Sequence, residues 1–189
     1  SQDGRFNAIR SGVGRALAGY RNVIGSADVE VIPAEVTFLK IIPEEISIQA
    51  GEKLQLRAIT EDRFGNVGAG DILWNLTNED LAVITPENEI IGKKAGEGRL
   101  IATSHNLVDI VPITVKKGPL HVIELAPERQ MVQSGVTTQF EAAGLDAGGN
   151  PIAVDFQWSV DEKLGRIDNA GVLTAVKVGE GEVEVGFGD

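Results

Sequence analysis

The sequence predicts an all-β protein made of sandwiches in tandem, and three observations carry that prediction. The chain repeats itself at one fixed offset, the step from Asp62 to Asp146; its apolar residues fall in short alternating runs; and apolar patterns of helix length are nearly absent. At that offset Ile42-Pro43 returns as Ala126-Pro127, Gly51 as Gly135, Ala58 as Ala142, Gly65-Asn66 as Gly149-Asn150 and Trp74 as Trp158. One period earlier, Gly12-Val13-Gly14-Arg15 matches Gly96-Glu97-Gly98-Arg99, and Val29-Glu30-Val31 matches Ile113-Thr114-Val115. Self-similarity at a domain-sized period is the mark of a modular array.

The strands follow in order from the alternation of side chains across a β-strand. Leu54, Leu56 and Ala58 alternate with Lys53, Gln55 and Arg57, so one face is buried and the other wet; Thr138, Phe140 and Ala142 repeat the pattern. The next strand buries Ile72, Trp74 and Leu76, matched by Phe156, Trp158 and Val160. Leu100 and Ala102 come later, matched at the front by Ala16 and Ala18 and, with a shift of one residue, by Val183 and Val185. Residues 14–21 are rich in helix formers, but their alignment with the strand at 99–106 makes strand the better reading. The 23 glycines, with Asn, Asp and Pro, punctuate these runs as turns.

The period divides the chain into residues 1–33, the back end of one repeat; 34–117, a complete repeat; and 118–189, a repeat expected to lack its last strand. Pro33 and Gly118-Pro119 sit at the joints, and linkers this short predict a semi-rigid rod. A formal net charge of −11 and a pI near 4.7 speak against nucleic acid and anionic membrane as partners, which need basic patches. No window approaches the roughly 18 to 20 apolar residues of a membrane span. The chain has no cysteine, which fits either a cytosolic protein or a bacterial surface protein whose cores hold without disulfides.

Ile41-Ile42-Pro43, Gly51, Asp62-Arg-Phe-Gly-Asn66, Ile72-Leu-Trp74, Gly96-Glu-Gly98 and Ile113-Thr-Val115 together resemble the bacterial immunoglobulin-like (Big) repeat. The third repeat resembles it more closely, through Asp146-Ala-Gly-Gly-Asn150, Phe156-Gln-Trp158, Gly165-Arg-Ile-Asp168, Gly171-Val-Leu-Thr-Ala175 and Gly179-Glu-Gly181. The resemblance spans essentially the whole chain and implies tandem seven-stranded, two-sheet Ig-like sandwiches. It also implies a bacterial cell-surface or secreted protein: an adhesin, an S-layer protein, or a wall- or carbohydrate-active enzyme in which such repeats space a catalytic domain. A non-catalytic spacer or assembly module is the expected role. The alternative is an accessory region of an extracellular hydrolase whose catalytic domain lies outside this chain.

Several residue groups invite a chemical reading. Asp62, Asn66, Asp146 and Asn150 present oxygens at a spacing suited to calcium, but the full shell of about 6 to 8 oxygens is missing and a strand-joining turn is preferred. No other cofactor is indicated. Glu44-Glu45, Glu79-Asp80 and Asp161-Glu162 read as solvated turn charge, because adjacent residues on a strand point to opposite faces. His105 and His121 lack ligands at zinc-like spacing. Trp74 and Trp158 read as core anchors along with Leu56 and Phe140, not as sugar platforms. The Gly-x-Gly pairs at 12, 96 and 179 precede strands, whereas phosphate cradles need helix N-termini. Asn75-Leu76-Thr77 is a formal glycosylation sequon placed mid-strand. The expected partners are neighbouring Ig-like repeats of the parent protein. Self-association is expected if residues 27–32 of one molecule pair with the open edge beside Val183–Val185 of the next.

Overall fold

The computed structural model describes residues 4–68 and 70–188, and over these the fold is all-β, with no helix. Asp189, the last of the Gly186-Phe187-Gly188-Asp189 ending, lies outside the described residues, as do residues 1–3. The chain opens with a hairpin, β1 (Gly12–Tyr20) and β2 (Val23–Val31). Its register, Gly12↔Val31 through Tyr20↔Val23, is met again one period on as Gly96↔Val115 through Ser104↔Leu107. Residues 14–20 are therefore strand, as the alignment indicated, although their side chains are exposed.

The middle sandwich runs through β3 (Val36–Ile42), β4 (Ile46–Gln49), β5 (Lys53–Gln55), β6 (Arg57–Asp62), β7 (Leu73–Leu76), β8 (Ala82–Ile84), β9 (Glu89–Gly92), β10 (Gly96–Ser104) and β11 (Leu107–Lys116). Three sheets form it: β3-β6, β5-β9-β8 and the central β4-β11-β10-β7, in which β4 runs parallel to β11. Leu39, Ile41, Ile46, Ile48, Leu81, Ile90, Leu100 and Ile113 close its core, all at 9% exposure or less. Such alternation of buried and exposed residues along each strand supplies the hydrophobic driving force.

The C-terminal sandwich follows with β12 (Leu120–Ala126), β13 (Thr137–Gln139), β14 (Glu141–Asp146), β15 (Pro151–Ile152), β16 (Phe156–Val160), β17 (Gly165–Ile167), β18 (Val172–Ala175) and β19 (Val183–Phe187). Its sheets are β12-β14-β15, β13-β18-β17 and β16-β19. Trp158 faces Val185 as Trp74 faces Ala102, which reproduces the one-residue shift read between the third repeat and the second.

Two details depart from a simple reading of the alternation. Leu54, Leu56 and Ala58 do not share one strand: β5 pairs with β9 and β6 with β3, and the chain changes sheets at Leu56, whose N–H donates to the Asn88 carbonyl. Trp74 and Trp158 are half-buried on β7 and β16, edge strands of their sheets, with Trp74 packed against the buried core; Leu56 and Phe140 are buried. The Gly-x-Gly pairs at 96 and 179 do have a packing role. A Cβ on Gly98 would run into Leu81, and one on Gly181 would run into Leu164.

Candidate functional site

The four Asp and Asn residues singled out in the sequence form two clasps, one at each joint between successive units. In the C-terminal sandwich, the turn after β14 folds because Asp146 accepts from the backbone it precedes. Its Oδ1 takes the N–H of Gly148 (2.9 Å) and of Asn150 (2.9 Å), and the backbone closes with Gly149 N–H to the Asp146 carbonyl (3.0 Å). Gly149 sits at φ +73°, where a side chain would be strained. Asp62 builds the same turn after β6, with Phe64 N–H (2.8 Å) and Asn66 N–H (2.9 Å) on Oδ1 and Gly65 at φ +75°.

From this turn the side chains reach out of their own sandwich. Asp146 Oδ2 accepts from the N–H of Gly118 in the linker (2.8 Å), and Asp62 Oδ2 accepts from the N–H of Ala34 (2.8 Å), the equivalent position one repeat earlier. Asn150 Oδ1 accepts from Ala95 N–H of the middle sandwich (2.9 Å), and Asn66 Oδ1 accepts from Ser11 N–H (2.9 Å), again at the same offset. Asn150 Nδ2 goes further and donates to the Lys93 carbonyl (2.8 Å) while bonding both oxygens of Asp146 (2.9 Å each). Two lysines add to the second joint: Lys94 Nζ donates to the Gly149 carbonyl (3.3 Å) and Lys117 Nζ to the Pro151 carbonyl (2.7 Å).

Every partner of these carboxylates is an N–H donor. Burial works to raise the pKa of Asp62, but the donors outweigh it: the Asn66 amide first, then the backbone N–H groups of Ala34, Asn66 and Phe64, which hold it down to about 2. Asp146 is lowered for the same reason, with burial opposed by the N–H groups of Asn150 and Gly118, the Asn150 amide and Gly148. Both carboxylates are ionised anchors for amide groups, and a cation placed there would have to displace those amides. Among the described residues no group of three or more His, Asp or Glu side chains is gathered in a way that would hold a metal.

The sign of the pH effect follows. A folded-state pKa below the ordinary carboxylate value of about 3.9 stabilises the fold above that value and is lost as pH falls through the folded-state value. With Asp62 at about 2, the clasp contribution is complete above about pH 5 and disappears toward about pH 2. Urea midpoints read by tryptophan fluorescence are expected to fall over that window. In an Asp62→Asn, Asp146→Asn variant the decline should be shallower than in the wild type. An equal decline in both would show that other acids carry it.

The remaining candidates stay apart. His105 lies in the β10-β11 turn at φ +53° and His121 on β12, both exposed. Glu44-Glu45, Glu79-Asp80 and Asp161-Glu162 lie between strands, and Asn75 is an exposed residue of β7. Trp74 lines an open groove of about 750 Å³ with Arg57, Asp71 and Asn88, in which Asp71 is the one acidic residue among those lining it. Sequence reasoning found the turn but missed its outward half. Ala95, Ser11, Gly118 and Ala34 contribute only backbone N–H groups, and their single sequence signal is that the repeat offset carries each pair onto the other.

No curated protein matches the chain. Solved structures similar to it include domains 4 and 5 of the S-layer protein SbsC, at 18% identity and a TM-score of 0.42 over 54% of this chain and 65% of that one. Another is InvD of Yersinia pseudotuberculosis, at 16% identity and a TM-score of 0.44 over 95% of this chain and 63% of that one. A third is human protocadherin-24 EC1-2, at 11% identity and a TM-score of 0.37 over 76% of this chain and 79% of that one. The chain thus spans less than two thirds of the first two. Residues 120–189 match the family model of the bacterial Ig-like domain (group 2).

Proposed function

We propose that the chain is a non-catalytic stretch of Ig-like repeats from a bacterial cell-surface or secreted protein, serving as a spacer that holds neighbouring domains apart. The observation that carries this reading is the recurrence of one clasp, Asp to the linker N–H and Asn to the loop of the preceding unit, at both joints. Linkers limited to residues 32–35 and 117–119 leave little slack between units. The excess of acidic residues keeps an extended surface soluble and limits nonspecific contact. Small-angle X-ray scattering tests it. An elongated particle is expected, and a folded-back one would overturn the reading. Because the clasp is made of N–H donors, a chelator should leave the scattering profile unchanged, whereas a calcium-dependent extension would put a cation at the joints.

Self-association through a sheet edge is a second reading with its own observation. In the middle sandwich β11 lies between β10 and β4, whereas β19 pairs only with β16 and residues 130–133, the counterpart of β4, form no strand among the described residues. β2 has the register of β11, so residues 27–32 of a second copy, released from their pairing with β1, would match the place between β19 and 130–133. Sedimentation velocity over a concentration series is expected to show an oligomer that deletion of residues 27–32 weakens. A species of about 20 kDa throughout would remove this reading.

A further inference from the structure

We infer that the middle and C-terminal sandwiches move as one rigid body, and that the end face of the middle sandwich is a seat which admits only a turn with glycine two places after its aspartate. The inference deepens the spacer reading, on which it rests for its purpose but not for its geometry.

The seat is made of backbone. A Cβ on Gly148 would run into the Lys93 carbonyl and come within 3.0 Å of the Ala50 Cβ, so the turn reaches this surface only because residue 148 has no side chain. Beside it, a Cβ on Gly51 would lie 2.7 Å from the Ala147 Cβ. At that approach loop and turn exchange hydrogen bonds: Ala95 N–H donates to Asn150 Oδ1, Asn150 Nδ2 to the Lys93 carbonyl, and Lys94 Nζ to the Gly149 carbonyl. Asn150 is left 5% exposed. A close-packed contact of this kind yields by separating rather than by deforming.

The linker between the two sandwiches supplies no hinge. A hinge is a few residues free to change φ and ψ, and here each residue from 116 to 119 is held. The Lys116 carbonyl accepts from Ala50 N–H of the middle sandwich (2.9 Å), and Gly118 N–H donates to Asp146 of the C-terminal one (2.8 Å). Lys117 Nζ reaches the Pro151 carbonyl (2.7 Å), and the ring of Pro119 fixes its own φ. Gly118 is closely packed as well, since a Cβ there would lie 2.6 Å from the Ala50 carbonyl oxygen. Relative motion is the default between domains with a small interface; a seat and a linker held on both sides remove it.

Glycine at 148 serves the seat, not the turn. The turn at Asp62 makes the same internal bonds: Oδ1 takes the N–H groups two and four places on, and the Asp62 carbonyl takes the N–H of Gly65, at φ +75° against +73° for Gly149. Phe64 stands there where Gly148 stands. A side chain at that place is therefore compatible with the turn and incompatible with the Lys93 carbonyl. The Asp62 turn could not replace the Asp146 turn on this face, so the units are not interchangeable: a clash, more than any attraction, selects which unit docks.

The absence of cysteine allows spin-label pairs to be placed in the full chain without background. Lys53→Cys with Glu141→Cys spans the joint, and Glu141→Cys with Lys163→Cys lies within the C-terminal sandwich as a reference; all three positions are exposed. The two distance distributions are expected to be equally narrow. Gly148→Phe, which installs the residue that the Asp62 turn carries, should broaden the first about twofold, toward the motion of separate units. It should leave the reference unchanged, with tryptophan emission showing both sandwiches folded. Should that variant unfold the C-terminal sandwich, Gly148→Ala, whose single methyl also meets the Lys93 carbonyl, should broaden the first in the same direction to a smaller extent. A wild-type distribution across the joint clearly wider than the reference, or one unmoved by a folded position-148 variant, would overturn the inference. The scattering experiment reads overall length, so a pair that is rigid but folded back removes the spacer reading and keeps this one.

Discussion

Asp146→Ala is expected to destabilise the C-terminal sandwich by about 3 kcal/mol, a large effect for a turn residue. Asp146 is 2% exposed, and its two oxygens are the acceptors for the N–H groups of Gly118, Gly148 and Asn150 and for the Asn150 amide. Removing the carboxylate leaves those donors buried and unmatched, at a cost of about 1 to 3 kcal/mol for each that water cannot reach. The chain reports on itself, because its two tryptophans fall one in each sandwich. In a Trp74→Phe background, emission from Trp158 follows the C-terminal sandwich alone. For a slope of about 1 to 2 kcal/mol per molar urea, the midpoint should fall by about 2 M. Asp146→Asn, which keeps one acceptor oxygen but turns an NH2 toward the donors, should fall between alanine and wild type. A loss within the roughly 0.5 kcal/mol of an ordinary surface substitution would show that water replaces the carboxylate at no cost, and the clasp would then be incidental.

What was legible in the sequence divides along a physical line. Asp146, Gly149 and Asn150 were readable as a turn because each acts on backbone within four residues, where sequence distance and spatial distance agree. The strands were readable because burial alternates along them. The alternation also concealed something: Leu54, Leu56 and Ala58 keep a common inward phase while the hydrogen-bond partner changes from β9 to β3. Side-chain phase records which face is buried, not which strand lies alongside. The edge-strand position of Trp74 and Trp158 was not legible, since a matched aromatic between apolar neighbours looks the same on an edge strand as in the middle of a sheet. The outward half of the clasp was invisible because its recipients are backbone amides, which every residue type carries. Gly148 against Phe64 was one of several differences between the two turns and linkers written in side chains, with Lys93 against Ile9 and Lys117 against Pro33. The meaning of Gly148 needs the Lys93 carbonyl beside it.

Leu100→Ala is expected to cost the middle sandwich about 3 kcal/mol, within the usual range of about 2 to 5 for a buried leucine. Leu100 has no exposed surface and sits in the central sheet with Val111 on one side and Leu76 on the other, so neither neighbour can close the void without shifting a strand. The adjacent Ile101 points to the opposite face of the same strand and is half-buried. Ile101→Ala should therefore cost about 1 kcal/mol or less, and this pair separates core packing from strand propensity. Trp74 emission in a Trp158→Phe background reads the effect directly. The complementary background, with Trp158 as the reporter, asks how far the loss travels. The two sandwiches have separate sheets, so the midpoint at Trp158 is expected to move little. If it falls as far as the midpoint at Trp74, the joint between them transmits unfolding. The Asn150 bonds to Ala95 and Lys93 then bind the pair into one cooperative unit, and the stability of such an array would be set at its joints as much as in its cores.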